Sequence, residues 1–350
     1  MSRQTVKIAV DAMGGDYAPQ EIVKGALQAV REDGIEIILV GSEDAIQREM
    51  AMYDVSQLPI HVLNASQVIR DGESPVAALH QKHDASVPIA MRLVKESKAD
   101  AVVSMGHTGM IMVSAIETLG RLPGIKRPAV GGVFFHIVPN TVMFDIGSNV
   151  DCKPSDLMNF AIIGSVFARK MLNVSNPTIA ILSNGVEEGK GNKLTKEAYQ
   201  LFKQSNLNFI GNVEGHDIPK GKANVIVCDG FTGNVLIKFA EGLGDLIIEH
   251  LKTILAKRLS NKELNAISDD LFDLTHMADV SGGGLMYGVD GVVWIGHGHS
   301  KAPQLALAIH QAKLAVETNL IETLRAELVK TAESIQKQQS TNQRISDGEE

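Results

Sequence analysis

The chain has 350 residues, enough for one large domain or two small ones and for a core that needs no covalent staple. Its 41 acidic against 33 basic side chains give a net charge of −8, which disfavours a general nucleic-acid binder, and only 4% of residues are aromatic, which disfavours a base-stacking platform. Two cysteines cannot form a disulfide framework or a four-thiolate zinc site, so a reducing, cytoplasmic setting is expected.

The amino-terminal residues carry no apolar signal segment and run straight into a strand over 5–10 that ends at Asp11. A helix is expected over 19–31, with Pro19 in its first turn. A strand follows at 35–40, and Ser42 is placed to cap a helix to about 52. Further strands are expected at 59–63, 101–104, 130–135, 141–146, 178–182, 207–211, 224–228 and 291–295, with helices at 108–120, 155–172 and 193–204 between them. Such alternation predicts a mostly parallel sheet with helices on both faces. The short connection at Pro139-Asn140 predicts one antiparallel pair within it. The apolar segment at 157–168 is interrupted and too short to cross a bilayer. Over 234–258, apolar residues recur at three- and four-residue steps with Lys238, Lys252, Lys257 and Arg258 among them. That pattern fits a core or dimer-packing helix, and its basic end also fits contact with a membrane surface. The polar tail, 338–350, is expected to be disordered and 1–337 to be one catalytic domain, with a protruding helical segment at about 234–275.

Ligands of open α/β sheets collect at the carboxyl ends of the strands, and there the sequence is dense in glycine, hydroxyl and amide residues. The first strand is followed by Asp11-Ala12-Met13-Gly14-Gly15-Asp16, the strand at 101–104 by Gly106-His107-Thr108-Gly109 opening a helix. Later turns are Asp145-Ile146-Gly147-Ser148-Asn149, then Ser183-Asn184 running on to Lys190-Gly191-Asn192, and Asp229-Gly230-Phe231-Thr232-Gly233-Asn234. Glycine turns at helix starts present free N–H donors to anions, so the set predicts a phosphate- or oxyanion-binding crevice, with Lys153, Lys190, Lys238 and Lys301 as candidate cations. Each turn also reads as an ordinary loop, and none is a dinucleotide fingerprint or a P-loop. Cys152 and Cys228 read as buried structural thiols or as nucleophiles, and no base has a recognisable spacing to either. His297 and His299 alternate as metal ligands can, but lack a partner ligand at a recognisable spacing, so no metal is expected.

Taken in order, these turns resemble one family. Asp-Ala-Met-Gly-Gly-Asp, Asp71-Gly72-Glu73-Ser74-Pro75, Gly-x-Thr-Gly and Asp-x-Gly-Ser-Asn-Val-Asp-Cys-Lys-Pro are followed by Glu-Glu-Gly-Lys-Gly-Asn, Gly211-Asn212-Val213-Glu214-Gly215 and Cys228-Asp-Gly-Phe-Thr-Gly-Asn234. The series is similar to that of the bacterial phosphate acyltransferases of phospholipid synthesis, over about residues 6–320. The resemblance implies a three-layer α/β/α sandwich similar to isocitrate and isopropylmalate dehydrogenases. It implies reversible transfer of a fatty acyl group from acyl carrier protein to inorganic phosphate, without a cofactor. It also implies a cytoplasmic homodimer, peripherally associated with the membrane near the acyltransferase that consumes acyl phosphate. The chain departs from the family pattern at His107, where Asn is usual, at His216, where Arg is usual, and in Gly282–Gly288 and Leu307.

On that resemblance Lys190, Gly191 and Asn192, with Thr232, Gly233 and Asn234, are expected to cradle phosphate. Gly106, Asn149, Asn184 and Asp229 complete the expected binding set. His107, Thr108 and Gly109 are expected to face the carbonyl oxygen or the phosphate, and His216 to give a proton to the leaving thiolate. A short-chain acyl-CoA:phosphate acyltransferase is the alternative reading.

Overall fold

The computed structural model describes residues 5–69, 72–134, 138–276 and 280–346. It divides into two compact units, Met1–Arg121 with Ala278–Ile321, and Leu122–Met277 with Glu322–Glu350, where the sequence suggested one domain over 1–337.

Unit 1 is built on β1 (Lys7–Asp11), β2 (Glu36–Gly41), β3 (Ile60–Asn64), β4 (Ala101–Ser104), β10 (Gly284–Tyr287) and β11 (Val292–Ile295). Their order is β3-β2-β1-β4-β11-β10, parallel except that β10 runs antiparallel to β11. Ile8, Ala9, Val10 and Asp11 are all buried, as a strand covered on both faces must be. α4 (Ser86–Lys95) and α5 (Thr108–Thr118) pack together and α4 lies on β1, β2 and β4, where Ala9, Val102, Met91 and Ile111 share one apolar cluster. α1 (Gln20–Asp33) packs against α10 (Ala302–Glu317), and a Cβ on Gly25 would strike the Ala302 carbonyl, so glycine sets how closely these helices approach. α2 (Glu43–Met50) and α3 (Pro75–Gln81) complete the unit. Pro19 stands at the cap of α1 rather than inside it, and Gly34 ends that helix with φ +60°.

Unit 2 holds β5 (Ala129–Val133), β6 (Val142–Phe144), β7 (Ile179–Leu182), β8 (Phe209–Val213) and β9 (Val225–Val227), ordered β5-β6-β9-β7-β8. β5 and β6 form the expected antiparallel pair, and the other pairings are parallel. α6 (Pro154–Met171) and α7 (Lys193–Lys203) pack on these strands and on each other. Met143, Ala180, Ile226 and Ile237 share a cluster with Ile218 of the short 3₁₀ turn Gly215–Lys220. α8 (Gly230–Leu255) is followed by α9 (Asn261–Thr275), which packs back on it where Gly244 leaves room for Thr275. The expected segment at 234–275 is thus two helices, with Phe239, Leu246 and Ile254 exposed on α8. Among the described residues, no helix is long and apolar enough to cross a membrane.

Three elements differ from the sequence reading. α4 was not among the expected helices, and its Pro88 falls in the first turn, where a missing N–H costs little. β10 follows a run of glycines that reads as loop. α11 (Leu320–Ser346) continues through most of the tail expected to be disordered. Its residues 334–346 contain no Gly or Pro and include several Gln, Lys and Arg, so a helix already started upstream extends at little cost.

Candidate active site

Unit 2 encloses a half-open cavity of about 520 Å³ at the carboxyl ends of β7 and β9. Leu157 of α6, Ile181 and Leu182 of β7, Leu194 of α7 and Val235 and Leu236 of α8 give it apolar walls. Ser183, Asn184, Gly191, Asn192, Thr195, Asp229 and Thr232 add polar groups to its lining.

The loop 184–192 is fixed by its own amides. Asn184 Oδ1 accepts the Gly191 N–H at 2.8 Å, and the Glu187 carbonyl accepts the Lys190 N–H and Asn212 Nδ2, each at 3.0 Å. Gly191 has φ +101°, and a Cβ there would lie 2.6 Å from the Thr195 side chain, so two independent constraints require glycine. Asn192 caps α7, its Oδ1 accepting the Thr195 N–H at 2.9 Å and the Thr195 hydroxyl at 3.1 Å. The exposed Lys190 has its stem over Gly185 and, among the described residues, forms no ion pair.

α8 starts differently. Asp229 Oδ1 accepts the Thr232 N–H at 2.9 Å and its Oδ2 accepts the Thr232 hydroxyl at 2.8 Å. The Gly230 N–H donates to the Asn149 carbonyl at 2.8 Å. Gly233 presses on the Asp145 carbonyl with no room for a Cβ, which seats the first turn of α8 on the loop after β6. Asp145, fully buried, organises that loop by accepting the N–H groups of Gly147, Ser148 and Asn149 and the Asn149 amide, all within 3.0 Å.

These bonds correct part of the expected binding set. Asn149 is 4% exposed and its amide nitrogen is taken up by Asp145 and the Pro128 carbonyl, so it braces a loop rather than facing a ligand. Asp229 and Thr232 reach the cavity but are bonded to each other. Gly233 is buried against Asp145, and Asn234 is exposed beside Gly147. His216 is exposed in the 3₁₀ turn, its Nε2 3.4 Å from Asp217 Oδ1, one residue beyond Gly215 in the cavity wall. The Glu214 N–H and then the Lys222 ammonium hold the Asp217 carboxyl below its ordinary range.

Gly106, His107, Thr108 and Gly109 belong to unit 1, at the start of α5. His107 is the cap residue but makes no capping bond with its side chain, and its ring lies over Gly109. Beneath them Asp11 accepts the Ser104 hydroxyl at 2.6 Å and the Met13 N–H at 3.1 Å, while Ser104 Oγ accepts the Gly106 N–H at 3.1 Å. Burial pushes the Asp11 carboxyl up against these bonds. The expected residues therefore form two sets, one in each unit.

Burial disfavours the thiolate form of both cysteines. Burial, with the Asp145, Asp156 and Asp229 carboxylates adding to it, pushes the Cys152 thiol up to about 12. Burial pushes Cys228 well above its ordinary value. Sequence reasoning missed the apolar wall, and it placed Ser183 in the turn after β7 without giving it a binding role.

A family model described as a fatty acid synthesis protein matches residues 6–323. The phosphate acyltransferase of Thermosynechococcus vestitus is 44% identical over 331 residues, covering 91% of this chain and 94% of that protein. That of Nostoc punctiforme is 44% identical over 341 residues, covering 95% and 100%. Among solved structures, a phosphotransacetylase from Streptococcus pyogenes superposes with a TM-score of 0.60 at 17% identity, over 91% of this chain and 94% of that one. A 4-hydroxythreonine-4-phosphate dehydrogenase from Klebsiella pneumoniae gives 0.53 at 12% identity, over 89% and 100%, and both share the α/β fold. The match over nearly the whole length, together with the ordered glycine turns that build these two sets, places the chain in the phosphate acyltransferase family, and it is an acyltransferase.

Proposed function

We propose that the chain transfers a fatty acyl group from acyl carrier protein to inorganic phosphate. The observation that carries this reading is the cavity of unit 2, whose lining combines amide and hydroxyl groups with apolar side chains. That lining suits a molecule with an anionic head and an alkyl tail, as an acyl phosphate is. Phosphate is itself the nucleophile. Its oxygen bonds to the thioester carbonyl carbon, the carbonyl oxygen takes negative charge, and the C–S bond breaks as the carbonyl reforms. The thiolate leaves with a proton.

Lys190 supplies the cation for phosphate. The Asn184 amide nitrogen and the first-turn N–H groups of α7, which have no intrahelical partner, supply donors. Donors aimed at a developing oxyanion are worth about 2.7–4 kcal/mol each, and alignment of two reactants up to about 7–11 kcal/mol. His216, paired with Asp217, is the proposed proton source for the thiolate. His107, at the uncapped start of α5, is the second catalytic candidate.

The reading extends to a cytoplasmic homodimer that meets the membrane surface and passes acyl phosphate to a membrane acyltransferase. Its support is the exposed apolar residues of α8, and flotation with anionic vesicles tests it. The test of the reaction is acyl phosphate trapped with hydroxylamine from long-chain acyl carrier protein and phosphate. No phosphate-dependent product would remove the reading. Likeness of fold to phosphotransacetylases favours the second reading, a short-chain acyl-CoA donor, and turnover of acetyl-CoA but not of the acyl carrier protein would select it.

A further inference from the structure

Ser183 follows β7 directly and lines the cavity of unit 2. Its backbone N–H donates to the Val213 carbonyl at 2.8 Å, so the main chain is anchored and the side chain alone is left to turn. Its hydroxyl oxygen is buried and, among the described residues, has no hydrogen-bond partner. That oxygen lies against Gly191, where a Cβ would come within 3.0 Å of it. Asn212, 5% exposed on the neighbouring strand at the position paired with Ile181, repeats the situation. Its Nδ2 donates to the Glu187 carbonyl, while its buried Oδ1 has no partner among the described residues. Two unpartnered polar atoms therefore sit at the base of the one loop that carries Lys190. Buried groups without partners are rare because each costs stability, so one that lines a cavity, as Ser183 does, calls for an explanation.

We infer that Ser183 is a phosphate ligand. When phosphate enters, the hydroxyl turns about χ1 from beneath Gly191 into the cavity and donates to a phosphate oxygen. The turn breaks no hydrogen bond to a described residue, because the hydroxyl makes none, and it ends with the hydroxyl paired. The inference rests on reading this cavity as the phosphate site.

The test compares Ser183→Ala and Ser183→Thr with the wild-type chain by thermal melting, by calorimetric titration with inorganic phosphate, and by the separate KM values for phosphate and long-chain acyl carrier protein. Ser183→Ala is expected to melt at the same temperature as wild type or higher, since it deletes an unpartnered hydroxyl. Its KM and Kd for phosphate should rise about tenfold, as loss of a hydrogen bond to a charged ligand implies, with the acyl-donor KM unchanged. Ser183→Thr, which keeps the hydroxyl, should restore most of the phosphate affinity.

Unchanged phosphate affinity in Ser183→Ala would overturn the inference. So would a lower melting temperature with unchanged affinity, which would mean that a buried water holds the hydroxyl in place. If alanine lowers both, threonine decides, because recovered melting without recovered phosphate affinity would also overturn it. Weaker phosphate binding by the alanine variant, in a protein whose wild type forms no acyl phosphate, would sustain Ser183 as a ligand and remove the reaction instead.

Discussion

α7 and α8 both open onto the cavity of unit 2 and both begin with a side-chain cap, yet the caps differ in charge. Asn192 is neutral and satisfies one N–H of α7, and Lys190 stands two residues before it. Asp229 is an acid, and it takes both the N–H and the hydroxyl of Thr232, while Gly230 donates to Asn149. The two turns read alike in sequence, as glycine-rich starts of helices. Their donors are committed differently, and only α7 keeps an anion-friendly start. A helix N-terminus therefore attracts phosphate only to the extent that its own cap leaves donors free and brings no negative charge.

The strongest way to break this contrast is to unseat α8 alone. Asp145→Ala leaves the buried Asn149 N–H and the part-buried Gly147 and Ser148 N–H groups without their acceptor, while the Asn149 amide keeps only the Pro128 carbonyl, and should lower unfolding stability by about 3 kcal/mol, read by urea titration. Hydrogen exchange should then speed up at 230–234 and stay slow at 195–198. Equal loss at both helices would show that the two starts are not independent. Next in size, Lys190→Ala should lower kcat/KM for phosphate at least tenfold in the hydroxylamine assay, while its melting temperature holds. Wild-type turnover would move the anion away from α7.

Asn192→Ala should cost about 1 kcal/mol of stability through the lost cap. Asp229→Asn sharpens the comparison because its sign is opposite, since it removes the charge and keeps a capping oxygen. Phosphate KM should fall severalfold, and a rise would mean that the Asp229 charge serves the reaction. The smallest effect concerns Cys152. With its thiol pushed up to about 12, only about one part in ten thousand is thiolate at pH 8. Reaction with a disulfide reagent should be negligible at pH 8 in the folded protein and should climb tenfold per pH unit until the thiol titrates, whereas the urea-unfolded chain reacts readily at pH 8. Fast labelling of the folded protein at pH 8 would contradict the burial of that thiol.

Much of the fold is legible in the sequence because alternation is a local signal. β1, β2, β4 and β7 are short apolar runs stopped by Asp, Gly or Ser, and Pro139-Asn140 lies in the link between the antiparallel strands β5 and β6. The misses have local causes too. α4 starts at Ser86 with Pro88 in its first turn, so no clean start signal precedes it, and three glycines disguise the start of β10. The site is legible at coarser grain. Residue types and order point to the loops that form it, but which amide faces a ligand depends on where its hydrogen bonds go. Asn149, Asn184 and Asn192 look equivalent in sequence. The first is enclosed by Asp145 and Pro128, the second holds Gly191, and the third caps a helix. Ser183 illustrates the reverse case, because what singles it out is a missing hydrogen bond, and no sequence pattern records an absence.

α8 has a mechanical side as well. It is one uninterrupted helix of 26 residues, with Phe231 at the cavity and Ile254 near its far end. At 1.5 Å per residue those two side chains sit about 35 Å apart on a single stiff rod. Any force that tilts the outer half, where Phe239, Leu246 and Ile254 are exposed, is transmitted to the turn that carries Asp229 and Thr232. The start of this helix is clamped by Gly233 on Asp145 and by Gly230 on Asn149, so the clamp acts as the fulcrum. A tilt of 5° about it moves the outer end by about 3 Å and the cavity turn by a few tenths of an ångström, so a large displacement outside becomes a fine adjustment at the site.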